Sequence, residues 1–252
     1  MIRPIALALA CLLPLPAAAQ QATGFESFGV TLEGGGHPAG DYLGLTGEAR
    51  AIYGLGWGEL AVDLSLSTTE AGSESLTAAG VLVHASARPA SWVALGPYLW
   101  LGSQSEGGGA YALGVEAAVQ TASGWGGELW FGETRGGVLG DEGYATNKGL
   151  RVGYTGQGPV SAYGAFLKDT ANLASGDQDF YRLALGVDTW LEMPGSGREI
   201  QLSVAAGQHH FDLLDKRENW VAVGITIPLD GRRAARPEFS SRRGVLHNLP
   251  LP

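Results

Sequence analysis

Residues 58–67 read GELAVDLSLS. Leu60, Val62, Leu64 and Leu66 fall on one side of an extended chain, with Glu59, Ala61, Asp63 and Ser65 on the other. Successive side chains of a strand point to opposite faces, so this alternation marks a strand with one apolar and one polar environment. The pattern returns at 181–191, where Tyr181, Leu183, Leu185, Val187 and Leu191 oppose Arg182, Gly186 and Asp188. It returns again at 149–156, where Leu150, Val152 and Tyr154 oppose Arg151, and at 221–229 through Val221, Val223, Ile225, Ile227 and Leu229.

Followed along the chain, the alternation predicts twelve strands, near 24–34, 42–54, 57–67, 76–87, 91–102, 110–121, 124–132, 148–156, 160–168, 179–191, 199–209 and 219–229. No stretch shows a convincing helical period. The forty glycines also argue against a helical body, since each costs about 1 kcal/mol in a helix interior. The connections alternate in length. Those at 54–57, 87–91, 121–125 and 156–159 are tight, and 192–199 is a little longer. Those at 33–41, 67–75, 103–110, 133–148, 168–180 and 209–218 are long and polar. Such a rhythm fits an up-and-down antiparallel meander with differently treated ends. A soluble sandwich or jelly roll is the competing reading, but its strands average about 5–6 residues. No internal repeat or second domain is evident.

The first residues, MIRPIALALACLLPLPAAAQ, place one Arg before an apolar stretch and then a run of small residues. This is the layout of a cleaved export signal over residues 1–19. Cys11 invites a lipoprotein reading, which the short leader and the weak ALA before it disfavour. With the leader removed no cysteine remains, so disulfides hold nothing together. The whole chain carries a formal charge of −9, with 45% hydrophobic and only 16% charged residues. An acidic body makes nucleic acid an unsuitable partner.

The leader and residues 24–229 together resemble bacterial outer-membrane β-barrel proteins. The resemblance implies an all-β, up-and-down antiparallel transmembrane barrel of about twelve strands over residues 20–229. Its strands run about 9–13 residues, the length a tilted membrane strand needs, and closure follows because hydrocarbon cannot satisfy an open sheet edge. It further implies short periplasmic turns, long external loops and both termini in the periplasm. The implied partners are outer-membrane lipid, the barrel-insertion machinery, and small cationic or sugar-like solutes. No cofactor and no metal are expected.

In a barrel the aliphatic face meets lipid and the other face lines the lumen. The lumen-parity charges are Glu48, Arg50, Glu59, Asp63, Glu116, Glu128, Arg151, Arg182 and Asp188. Acids outnumber arginines, which points to a cation-favouring path or to a polar interior whose charges pair across strands. Twelve strands leave at most a narrow channel. Trp92, Tyr98, Trp100, Trp130, Trp190 and Trp220 share the charged parity, as lumen packing or as a track for sugar rings. All seven tryptophans fall near strand ends, as an interfacial girdle requires. Pro97 suggests a local bend or bulge.

An enzymatic reading rests on the histidines. His84 with Ser86 is the best local base and nucleophile pair, and His209–His210 near Asp212 and Asp215 the best metal candidate. Adjacent strand residues point oppositely, so the latter pair ligates together only if the loop turns there. Asp141 and Glu142 lack calcium-loop spacing. No surrounding catalytic motif supports these residues, so the channel reading leads, with a structural or adhesive barrel second and a lipid-modifying enzyme third.

Beyond Leu229 runs a basic tail, residues 230–252, bearing Arg232, Arg233, Arg236, Arg242 and Arg243. Many barrels of this class end on an aromatic residue; this chain departs from that. The tail has two expected places: disordered in the periplasm, or folded into the lumen as a plug against the carboxylates.

Overall fold

The computed structural model describes residues 24–229, apart from positions 39, 73, 106, 141–142, 157, 174–175, 194–197 and 213–214, together with residues 239–241. The leader and the tail arginines Arg232, Arg233, Arg236, Arg242 and Arg243 lie outside the described residues. The strands are β1 (Gly24–His37), β2 (Gly40–Leu55), β3 (Gly58–Ala71), β4 (Glu74–Ala90), β5 (Val93–Gln104), β6 (Gly108–Gln120), β7 (Trp125–Gly136), β8 (Tyr144–Thr155), β9 (Val160–Leu173), β10 (Gly176–Glu192), β11 (Glu199–Phe211) and β12 (Lys216–Pro228). Each pairs antiparallel with its neighbours in sequence, and β12 pairs with β1 to close the barrel. Both ends of the wall, Gly24 and Pro228, sit at the same rim, here the terminal end; the opposite rim is the distal end.

The strands at the distal end run further than the alternation predicts. Glu33 to His37 and Gly40 to Tyr42 continue one ladder, pairing Gly35 with Tyr42 and His37 with Gly40. Likewise Ala71 pairs with Glu74 and Gly176 with Leu173. Polar segments in water still satisfy their backbone groups most simply by extending the ladder they leave. The expected long loops are therefore mostly strand overhang. Residues 137–140 differ: a 3-10 turn, Gly137–Leu139, follows β7, and Leu139 is buried in the interior cluster.

Outside, the wall is apolar: Val30, Leu45, Leu66, Leu101, Val115, Phe131, Leu150, Leu185 and Val223 are all exposed. A continuous apolar belt of this extent has no place in water. At its terminal edge stand the exposed Trp57, Trp92 and Trp125. Toward the distal edge the outer face turns polar, with Glu133 paired to Arg135, and Lys168 bonded to Asp179 and Tyr181.

Inside, glycines make room for rings. A Cβ on Gly149 would lie 2.0 Å from Cζ2 of Trp130, and one on Gly80 would lie 2.4 Å from Nε1 of Trp100. The aromatic rings lie flat against wall that has no side chain, which accounts for part of the glycine content. Gly149→Val is expected to displace Trp130 and cost about 1–3 kcal/mol, the usual penalty of overpacking. A urea unfolding midpoint measures it, with Gly47→Ala as control, because the nearest atom to a Cβ there is 4.0 Å away.

Candidate functional site

The lumen divides into two halves. Its distal half is filled: Leu76, Tyr98, Trp100, Trp130, Leu167, Phe180, Phe211 and Trp220 are buried together with small alanines. Polar groups are threaded through this packing. Tyr98 donates to Asn147, whose amide donates to Thr134 at 2.9 Å, and Asn147, Asp169, His37 and His209 are almost fully buried.

At the boundary lies a chord across the lumen. Arg182 of β10 reaches Glu33 of β1, donating from Nη1 (2.8 Å) and Nη2 (2.6 Å) to its two carboxylate oxygens. Tyr42 donates to the same Glu33 at 2.8 Å. The guanidinium also lies 3.5 Å from the Trp220 ring centre and donates to Nε2 of His209 at 2.7 Å. Arginine has no acceptor, so His209 accepts at Nε2. A planar fork held by carboxylate and aromatic face together is well fixed.

The terminal half holds a cavity of about 580 Å³ running from Gln120, Thr155, Gln201 and Pro228 at the mouth to Tyr42, Trp100, Trp130, Arg182 and Trp220 at its floor. Its wall bears Glu26, Glu33, Glu48 and Asp188 against Arg50, Arg151 and Arg182. Arg50 is shared between Glu26 (3.4 Å) and Asp63 (3.7 Å), and Arg151 stacks on Tyr163 at 3.9 Å. Beside it His84 is gripped at both nitrogens: Nε2 is 2.9 Å from Asp63 and Nδ1 is 2.8 Å from Glu116. All three are almost fully buried. Residues Phe239, Ser240 and Ser241 of the tail also line the cavity.

The sequence-derived charges thus lie on the inner face: Glu48, Arg50, Asp63, Glu128, Arg151, Arg182 and Asp188 near the cavity, Glu116 under His84, and Glu59 paired with Arg88 at 3.3 Å. Tyr98, Trp100, Trp130 and Trp220 are buried inside, and Trp190 stands on the cavity wall. Trp92 is a correction. It occupies the turn between β4 and β5, outside both strands, and is 57% exposed. The β4–β5 register shifts between Ala87 and Ala90, so parity counted through the turn places it on the wrong face. The irregularity expected at Pro97 lies there instead.

Two inner residues stand outside the set assigned to the lumen by parity: Glu33 and His209 fall at predicted strand-to-loop junctions and lie within strands that run on past them. Glu26 sits where the β1–β2 register shifts between Phe25 and Ser27. That shift leaves Phe25 and Phe28, three residues apart, both exposed and stacked at 5.8 Å.

The catalytic candidates do not assemble. Ser86 donates to the Glu59 carbonyl oxygen at 3.4 Å, while both His84 nitrogens face carboxylates. His209 faces the lumen, whereas His210 packs near Tyr181 and lies 3.6 Å from Asp212 on the outer side. Among the described residues no three His, Cys, Asp or Glu side chains are arranged so that they could hold a metal ion.

A closed barrel of twelve antiparallel strands, apolar outside and charged within, is the outer-membrane β-barrel fold. In that fold the chain is similar to the NanC porin (11% identity, TM-score 0.57, covering 79% of this chain and 100% of the porin). It is also similar to an outer-membrane channel from Pseudomonas putida F1 (9% identity, TM-score 0.57, covering 86% and 100%) and to the KdgM porin (12% identity, TM-score 0.51, covering 79% and 98%). No family model and no curated protein matches this sequence.

Proposed function

We propose that this protein is a narrow outer-membrane channel for small hydrophilic solutes with a preference for cations, held here in a closed conformation with both termini on the periplasmic side. The observation that carries the reading is the cavity: acids outnumber arginines on its wall, and Arg50 and Arg182 are already committed to carboxylates. Carboxylates in a confined, low-dielectric passage attract cations. The filled distal half supports a gate rather than an inert core. A purely structural filling gains nothing from buried ion pairs over apolar side chains, whereas hydrogen-bonded pairs such as Arg182–Glu33 can exchange partners for water.

One KdgM porin structure is in complex with disordered oligogalacturonate, a sugar bearing carboxylates. The acidic wall here favours neutral or cationic solutes instead. Stacked sugars would need open ring faces, yet one face of Trp220 carries Arg182 and one face of Tyr163 carries Arg151. Planar bilayers with a KCl gradient test the reading: openings should be brief and their reversal potential cation-selective. Anion selectivity, or no openings in the parent chain and in the gate variants described below, would overturn it.

A further inference from the structure

Residues 239–241 are held by contacts from several strands of the wall. The Phe239 ring is 4% exposed, packed on Ala94 and Ala118 and stacked on His84 with centroids 5.6 Å apart and planes 8° from parallel. Its carbonyl oxygen accepts from Nη1 of Arg50 at 2.8 Å. The next backbone N–H, of Ser240, donates to both oxygens of Glu128 at 3.1 Å, and the Ser240 hydroxyl donates to Oε1 at 3.3 Å. The Ser241 hydroxyl donates to Glu48 at 2.6 Å. Glu128 stands on β7 and Glu48 and Arg50 on β2, five strands apart round a twelve-strand wall. The segment therefore bridges nearly opposite sides of the lumen.

We propose that the lumen contains a peptide-binding site for an aromatic–serine–serine segment, occupied by this chain's own Phe239–Ser241, and that this occupancy obstructs solute passage. The second half of the statement rests on the channel reading; the first does not. The chemistry is specific at each position. A flat apolar slot under His84 takes the ring, a guanidinium and a carboxylate read one backbone C=O and the following N–H, and a second carboxylate takes a hydroxyl. Reading both backbone groups fixes the direction of the chain. The ring is the anchor, since a fully desolvated aromatic in a pocket carries the largest share of such binding.

Docking and conductance are measured separately. Ser241→Cys is introduced into the full chain, alone and with Phe239→Ala, and its reaction with a water-soluble maleimide is followed by mass spectrometry of the peptide carrying residue 241. Loss of the anchor should speed labelling by about tenfold or more, the loss expected when a buried ring no longer holds the segment. A synthetic peptide of residues 236–243 should slow labelling of the parent chain no further, and should bind the Phe239→Ala chain in competition with its weakened tail. Equal labelling rates with and without Phe239→Ala overturn the site. Faster labelling together with higher conductance supports both halves. Faster labelling with no conductance in either chain upholds the site and removes the obstruction of a solute path, along with the channel reading itself.

Discussion

Arg182→Ala is expected to lower the stability of the barrel by about 3–5 kcal/mol, the cost of breaking a buried ion pair from one side. Side chains of Arg182 and Glu33 are only 5% and 12% exposed. Without the guanidinium, Glu33 keeps the Tyr42 hydroxyl but loses two charge-assisted bonds, and Trp220 loses the cation over its face. Arg182→Lys keeps the charge but cannot make the fork or the stack, and should fall between parent and alanine. Urea-induced unfolding in lipid vesicles measures the loss. Conductance should move the other way: removing the chord unlocks the floor of the cavity, so Arg182→Ala and Glu33→Gln should both open more often than the parent. A variant that is destabilised and stays silent would make the chord a brace and not a gate.

The strands of this barrel were legible because each one alternates between two solvents, and a two-residue period survives any uncertainty about its ends. Val221 to Leu229 and Leu60 to Leu66 declare the outer face, and every charge read from the opposite parity within a strand lies inside. Legibility fails where counting must cross an irregular point. Trp92 lies beyond the β4–β5 register shift, and Glu26 lies in the shift of β1. It also fails where polarity rises beyond the membrane belt. Composition there looks like loop, although the ladder continues, and so parity does not assign Glu33 and His209, two of the partners of Arg182, to the lumen. The pairing of Arg182 with Glu33 spans 149 residues of sequence. Nothing local to either residue announces such a contact. The docking of Phe239 is of the same kind, since Glu238 and Ser240 on either side are polar and the slot that receives the ring is built from β4, β5 and β6.

His84→Ala is expected to be the other strongly destabilising change, again by about 3–5 kcal/mol. Asp63 and Glu116 grip the imidazole from two sides, with side chains only 5% and 0% exposed. Remove the ring, and Glu116 loses its 2.8 Å bond and Asp63 its 2.9 Å bond to the imidazole, while Asp63 retains Arg50 at 3.7 Å, a cation also bonded to Glu26 and to the Phe239 carbonyl oxygen. Two buried carboxylates then face the vacated space without the ring that bridged them, and each has lost a hydrogen bond that offset its desolvation. Glu116→Gln in the His84→Ala background should recover part of the loss, because one of the two facing charges is gone. The double-mutant cycle should then show a coupling of at least about 1 kcal/mol. His84→Gln should fall between, since an amide donates to one carboxylate but cannot satisfy both. Additive effects would mean that the imidazole only fills space. The same substitution removes the surface on which Phe239 stacks. Residue 241 should therefore become more reactive in His84→Ala, and His84→Gln, which offers a flat amide in place of the ring, should release it less.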